Sequence, residues 1–163
     1  MIDRVMKVNF YGTLYMIKAL LPHLLTRPEA HIVNISSMGG FLPVPGQTFY
    51  GASKAAVKLL TEGLHSELKG TNVGVTVVFP GAVKTNITAN SGLKVTPDAG
   101  KENKAMKITL PEDAAEMIIQ GMEQNKYRVL VGKDSRFMDL LYRLNPSYAA
   151  NLIYKKMKSL LAN

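Results

Sequence analysis

The stretch VGVTVVF, residues 73–79, constrains this chain more than any other. It is nearly continuous in β-branched residues, and no polar side chain recurs at every second position. A strand with one wet face would alternate. A strand like this is buried on both faces, as in a parallel sheet with helices above and below. Two further segments read as strands of the same kind. HIVNIS (31–36) is short, β-branched and bounded by RPEA and GG, and RVLVG (128–132) is another short apolar run.

The segments between them have helical spacing. In residues 3–21, apolar side chains recur at Val5, Val8, Leu14, Ile17 and Leu21, and Pro22 is expected to kink or end that helix. Residues 50–68 are rich in Ala, Leu and Lys without Pro and predict a long helix ending near Gly70. Pro, Glu and Asp at the front of 110–124 make a good helix start. SRFMDLLYRL and the terminal segment 147–161 predict two more helices. Residues 85–110 hold no strong period and predict a long loop, of the length that often serves as a lid. Strands alternating with helices imply an α/β fold with a parallel sheet and right-handed crossovers. The order opens on a helix with no strand before it. The chain therefore reads as one domain over 1–163 that resembles the second half of a doubly wound fold.

Composition removes several alternatives. The 163 residues suit one domain and contain no Cys, which excludes disulfides and thiolate metal sites. His23, His31 and His65 lack ligand spacing, so no metal site is expected. The net charge is +8, but it is spread evenly. Residues 1–100 carry nine Lys/Arg against five Asp/Glu, and residues 101–163 carry eleven against seven, +4 in each part. That argues against a nucleic-acid arm, while a diffuse positive field favours small anionic ligands. No apolar run reaches the roughly 18 residues of a membrane span. The first residues lack the pattern of a signal peptide, so a cytoplasmic location is the default expectation. The terminal helix 147–161 is basic and amphipathic. Such a helix can lie on a membrane surface, although a docked helix with a solvated Lys face is the favoured reading.

The chemistry concentrates in SSMGGFLPVPGQTFYGASK, residues 36–54. Tyr50 and Lys54 are four residues apart and share a helix face. An ammonium beside a phenol favours the phenolate and suits the phenol to proton exchange near neutral pH. Ser37 lies just past the carboxyl end of a strand, the edge where open α/β sheets bind ligands. Each feature also has a bland reading. Tyr and Lys at this spacing are common on solvated helix faces, and Ser-Ser with Gly-Gly can simply close a strand and turn.

Four motifs in order lift the ambiguity. KVNFYG (7–12) is similar to a V-N-x-x-G helix motif, and IVNISS (32–37) to a strand ending in an active-site Ser. YGASK (50–54) matches Y-x-x-x-K, and FPGAVKT (79–85) matches P-G-x-V-x-T. Together they resemble the short-chain dehydrogenase/reductase superfamily, with its Rossmann-type three-layer αβα fold. The resemblance covers residues 1–85 well and the tail only in general pattern. It implies an oxidoreductase interconverting an alcohol and a ketone or aldehyde with NAD or NADP. Tyr50 would be the general acid or base, and Lys54 would tune it and bond the nicotinamide ribose. Ser37 would hold the substrate oxygen, and Asn9 a water linking Lys54 to solvent. Pro80 and Gly81 would shape the turn beside the nicotinamide. Val83 would contact the carboxamide through its backbone, and Thr85 would face the nicotinamide end or pyrophosphate. As simpler readings, Asn9 can bond its own backbone, Thr85 can cap a helix, and Pro-Gly is a common turn.

The family's T-G-x-x-x-G-x-G pyrophosphate loop has no counterpart here, because no G-x-G occurs in the chain. The expectation is a carboxyl-terminal part of a family domain that by itself holds cofactor weakly. A homo-oligomer through helices 3–21 and 50–68 is implied by the resemblance. In the lid 85–110, and at Phe41, Leu42 and Val44, apolar side chains suggest a medium-sized apolar or amphipathic substrate, or else simply anchor their loops. Two other classes stay open: a non-catalytic fragment that acts through its helix faces, and a basic module that binds membrane or nucleic acid.

Overall fold

The computed structural model describes residues 2–85 and 108–158. Three parallel strands, β1 (Ala30–Ile35), β2 (Val73–Pro80) and β3 (Arg128–Val131), form one sheet in the order β1-β2-β3. Ile32 pairs with Val75, and Val78 with Val129. As the sequence implies, β2 is the central strand and is buried on both faces.

One face carries Ile32, Val73 and Val75. It is covered by Ile17 of helix α2 (Gly12–Leu24) and by Leu64 and Leu68 at the end of α3 (Thr48–Glu67). The other face carries Val78, Val129 and Val131 and is covered by Ala114, Met117 and Ile118 of α4 (Pro111–Glu123). Gly121 of α4 lies so close to Val129 that a side chain there would strike it. The result is a three-layer αβα arrangement. It also corrects one expectation. α3 joins β1 to β2, α4 joins β2 to β3, and the strands advance in one direction. Helices on opposite faces then make the two crossovers of opposite hand, so they are not both right-handed.

The first helix differs from expectation twice. It runs on through Pro22 to Leu24, because Pro costs one amide bond but has a helical φ. Between α1 (Ile2–Met6) and α2, residues Lys7–Tyr11 form a π-helical turn, closed by the Gly12 amide on the Lys7 carbonyl. Asn9 sits in the middle of it. No sequence period announces such a turn.

A second core lies beyond the sheet end. α5 (Lys133–Leu144) and α6 (Pro146–Met157) bury Met138, Ala149 and Ile153 against Leu42. Leu42 is therefore a packing residue that anchors its loop. The Asn145 side chain caps α6 by accepting the Tyr148 amide. Arg128 ties β3 to α5 by donating to Asp139 at 2.8 Å, and Arg143 joins the same carboxylate. The Arg128 guanidinium also lies 4.7 Å from the Phe79 ring centre, and Phe41 meets that ring edge-on at 5.5 Å.

Phe79 is fully buried where β2, the loop after β1 and α5 meet. Phe79→Ala removes a fully buried ring that packs against Phe41 and Arg128. It should cost about 3–5 kcal/mol of stability, read from the shift of the urea unfolding midpoint at unchanged m-value. A loss below about 1 kcal/mol would contradict that packing role.

Candidate active site

The carboxyl end of β1 runs into Ser36, Ser37 and a single 3₁₀ turn, Met38–Gly40. Ser37 is extended, and its Oγ accepts the Gly39 amide at 3.1 Å, which caps the turn. Among the described residues its hydroxyl proton has no acceptor and can be donated elsewhere. Ser36 is buried and does something different: its Oγ donates to the Lys54 carbonyl of α3 at 2.8 Å. The Lys54 ammonium in turn donates to the Ile35 carbonyl at 3.0 Å. Lys54 is thus held to the end of β1 at both its backbone and its side chain. Two turns along α3, the Asn34 amide donates to Thr61 Oγ1 at 3.0 Å, a third polar tie between β1 and α3.

The glycines permit this approach. A methyl on Gly40 would lie 2.6 Å from Ser36 Oγ and 3.0 Å from the Lys54 carbonyl carbon and oxygen. A methyl on Gly51 would lie 2.9 Å from the Gly39 carbonyl oxygen. Gly39 itself stands between two of the candidate side chains. Its added methyl would lie 3.6 Å from Ser37 Oγ and 3.7 Å from Tyr50 Cε1. Ser37 and Tyr50 therefore face one spot across Gly39.

Lys54 Nζ is 5.9 Å from the Tyr50 ring centre. Burial pushes the Lys54 ammonium below the ordinary lysine range, because a partly dry site disfavours charge. Asn9 reaches α3 by another route. Its amide donates to Ser53 Oγ at 3.0 Å, and Ser53 donates to the Tyr50 carbonyl at 2.7 Å. The Asn9 carbonyl accepts the Thr13 hydroxyl at 2.9 Å. Asn9 and Lys54 also line one groove of about 550 Å³ between α2 and β1.

The next strand end carries the second cluster. The Gly81 amide donates to the Val131 carbonyl at 2.9 Å, and the Ala82 amide to Asp134 Oδ2 at 2.6 Å. Val83 bridges to Thr109, flanked by bonds from Lys84 to the Thr109 carbonyl and from Thr109 to the Ala82 carbonyl. These bonds close the base of the connecting loop. Thr85 lies past that base and is exposed. The body of the lid, residues 86–107, and the end of the terminal helix beyond Lys158 lie outside the described residues.

The family model described as short chain dehydrogenase matches residues 1–95. The chain belongs to the short-chain dehydrogenase family. SadH of Mycobacterium tuberculosis, which bears an oxidoreductase name, is 36% identical over 158 residues, covering 93% of this chain and 57% of SadH. A short-chain dehydrogenase from Burkholderia cenocepacia, solved in complex with NADP, superimposes with a TM-score of 0.75 at 25% identity, over 91% of this chain and 56% of that one. One from Streptomyces avermitilis does so with a TM-score of 0.72 at 28% identity, over 97% and 62%. The chain spans a little over half the length of these relatives.

Some participants carried no sequence signal strong enough to single them out. Ser53 is fully buried inside YGASK, yet reads as a small helix residue. Asp134 reads as a favourable charge in the first turn of a helix. Their partners, Asn9 and Ala82, lie 44 and 52 residues away.

The Gly40 contact yields a test. Gly40→Ala drives a Cβ into the Ser36 hydroxyl and the α3 backbone. We expect a loss of about 1–3 kcal/mol, the usual range for overpacking, measured by chemical denaturation. Unchanged stability would show that the loop does not rest on α3 as closely as described.

Proposed function

We propose that this chain forms the catalytic half of an NAD(P)-dependent oxidoreductase that interconverts an alcohol and a ketone or aldehyde. One observation carries the reading: Ser37 and Tyr50 flank the same point at the end of β1, with Lys54 pinned beside them. The complex of the Burkholderia relative with NADP supports the choice of cofactor class.

The residues present fit the nicotinamide-ribose end of such a cofactor. A lysine ammonium has three donors, and Ile35 takes one, which leaves two for ribose hydroxyls. The turn Pro80–Val83 stands at the neighbouring strand end, where open α/β sheets receive ligands. There Pro80 and Gly81 shape the wall and the Val83 backbone meets the carboxamide. Thr85 faces the nicotinamide end or the pyrophosphate. When bound, the nicotinamide supplies or accepts the hydride.

The chain's own groups handle the proton. In the reducing direction Tyr50 Oη donates it to the carbonyl oxygen, and in the oxidising direction it takes it from the alcohol. Ser37, whose Oγ already accepts from Gly39, donates its hydroxyl hydrogen to the same oxygen and holds it in place. Lys54 orients the ribose and keeps positive charge near the phenol. Asn9, through Ser53, steadies the first turn of α3 that carries Tyr50, and its groove offers a water path from Lys54 to solvent.

The assembled form of this reading is a homo-oligomer. Val8, Tyr15 and Met16 on the first helix and Leu59 on α3 expose most of their side chains. These are the helices expected to pair. A charge at Leu59, as in Leu59→Glu, should shift the protein to a smaller species in sedimentation equilibrium. An unchanged mass would remove α3 from the interface.

The catalytic assignment is tested in the full-length enzyme. Tyr50→Phe should lower kcat by about 10²–10⁴-fold, the usual worth of a positioned general acid, with little change in the KM for cofactor. A variant that turns over at the normal rate would refute the role of Tyr50.

A further inference from the structure

We infer that Asp134 is a positioning residue for cofactor binding, acting through the turn Gly81–Val83; this rests on the function proposed above. Asp134 lies three residues past β3, 52 positions from the Ala82 amide it holds. Its carboxylate is buried and accepts the Ala82 amide at 2.6 Å, a short charge-assisted bond. It fills the space over Gly81, where any side chain would collide with it. On its other side, a methyl on Gly132 would lie 2.5 Å from Asp134 Oδ1 and 2.8 Å from Thr109 Oγ1. Gly132 has a φ of +94°, a backbone state that suits glycine. Two glycines thus leave room for one carboxylate between the turn and the loop base.

The same carboxylate has an oddity. Oδ1 is buried and has no hydrogen-bond donor among the described residues. An unpaired buried acceptor costs stability. Among the described residues the carboxylate therefore acts through Oδ2. That action is local. The Ala82 amide lies between Gly81, whose amide bonds the Val131 carbonyl, and Val83, which bridges to Thr109. Without the carboxylate, the Ala82 amide loses its acceptor, and the turn is held only by the flanking bonds of Gly81 and Thr109. The Val83 backbone would then lose the orientation in which it meets the carboxamide, and Thr109 would lose its neighbour at the foot of the loop. The cofactor would dock on a turn that must first be ordered, and that cost falls on binding.

The experiment is steady-state kinetics in the full-length enzyme with Asp134→Ala and Asp134→Asn. Asp134→Ala should raise the KM for NAD(P)H by about tenfold to a hundredfold, the range for losing a charge-assisted hydrogen bond. At saturating cofactor its kcat should stay within about threefold of wild type. Asp134→Asn retains a carbonyl oxygen for the Ala82 amide and should restore the KM to within about threefold. A merely structural part would instead lower the melting temperature and the active fraction while leaving the KM alone. An unchanged KM in Asp134→Ala, or an Asn variant as impaired as the Ala variant, overturns the inference. Amide hydrogen exchange at Ala82 gives an independent reading, also where turnover is absent. It should accelerate in Asp134→Ala, and unchanged exchange rejects the clamp; if Asp134→Ala does not fold, Asp134→Ser is read in the same way. Absence of any NAD(P)-dependent turnover in the wild-type enzyme would count against the proposed function instead.

Discussion

The close contact of the loop after β1 with the first turns of α3 is the interaction on which the site depends. Ser36 bonds the Lys54 carbonyl, Lys54 bonds the Ile35 carbonyl, and Gly40 leaves the space that the first of these bonds needs. A strand end and a helix are thereby locked in register. Ser37 follows the strand and Tyr50 follows the helix, so locking the two elements sets the distance between the two hydroxyls. A one-residue shift along α3 would turn Tyr50 by about 100° away from Ser37.

That contact stands on the sheet. β2 is buried on both faces because α2 and α3 cover one and α4 covers the other. At the foot of the connection into α4, Thr109 lies against Val83. α5 supplies Ser135, which donates to the Phe79 carbonyl at 2.8 Å, and Asp134 to the adjacent turn. It thereby fixes the end of β2 from two directions.

Much of this was legible in residue order. The run of β-branched residues at 73–79 identifies a central parallel strand, since only a doubly covered strand can dispense with polar positions. The strand and helix boundaries fall within a few residues of those that periodicity and punctuation predict. Asn9, Ser37, Tyr50 and Lys54 stand out through motif order. Their meeting is not written in spacing alone. Ser36 and Ser37 look equivalent in sequence, yet one is a buried tie and the other is a cap with a free proton. Asn9 reads as a helix disturbance and proves to be part of a π-turn that bonds Ser53. Leu42 reads equally well as pocket or anchor, and it does both: it packs against Met138 and Ile153 and lines a cavity with Phe41 and Val44.

By itself, then, the sequence determined the parallel α/β architecture, and its motifs in order marked the family and the candidate site residues. The architecture follows from local chemistry: burial written as hydrophobic pattern and turns written as Gly and Pro. Tertiary structure alone decided the opposite hands of the two crossovers, the Gly40 contact and the grip of Asp134 on Ala82. These depend on which surfaces meet across 14 residues, as from Gly40 to Lys54, or across 52, as from Ala82 to Asp134. Such meetings are fixed by how covered faces pack, and no local pattern records them.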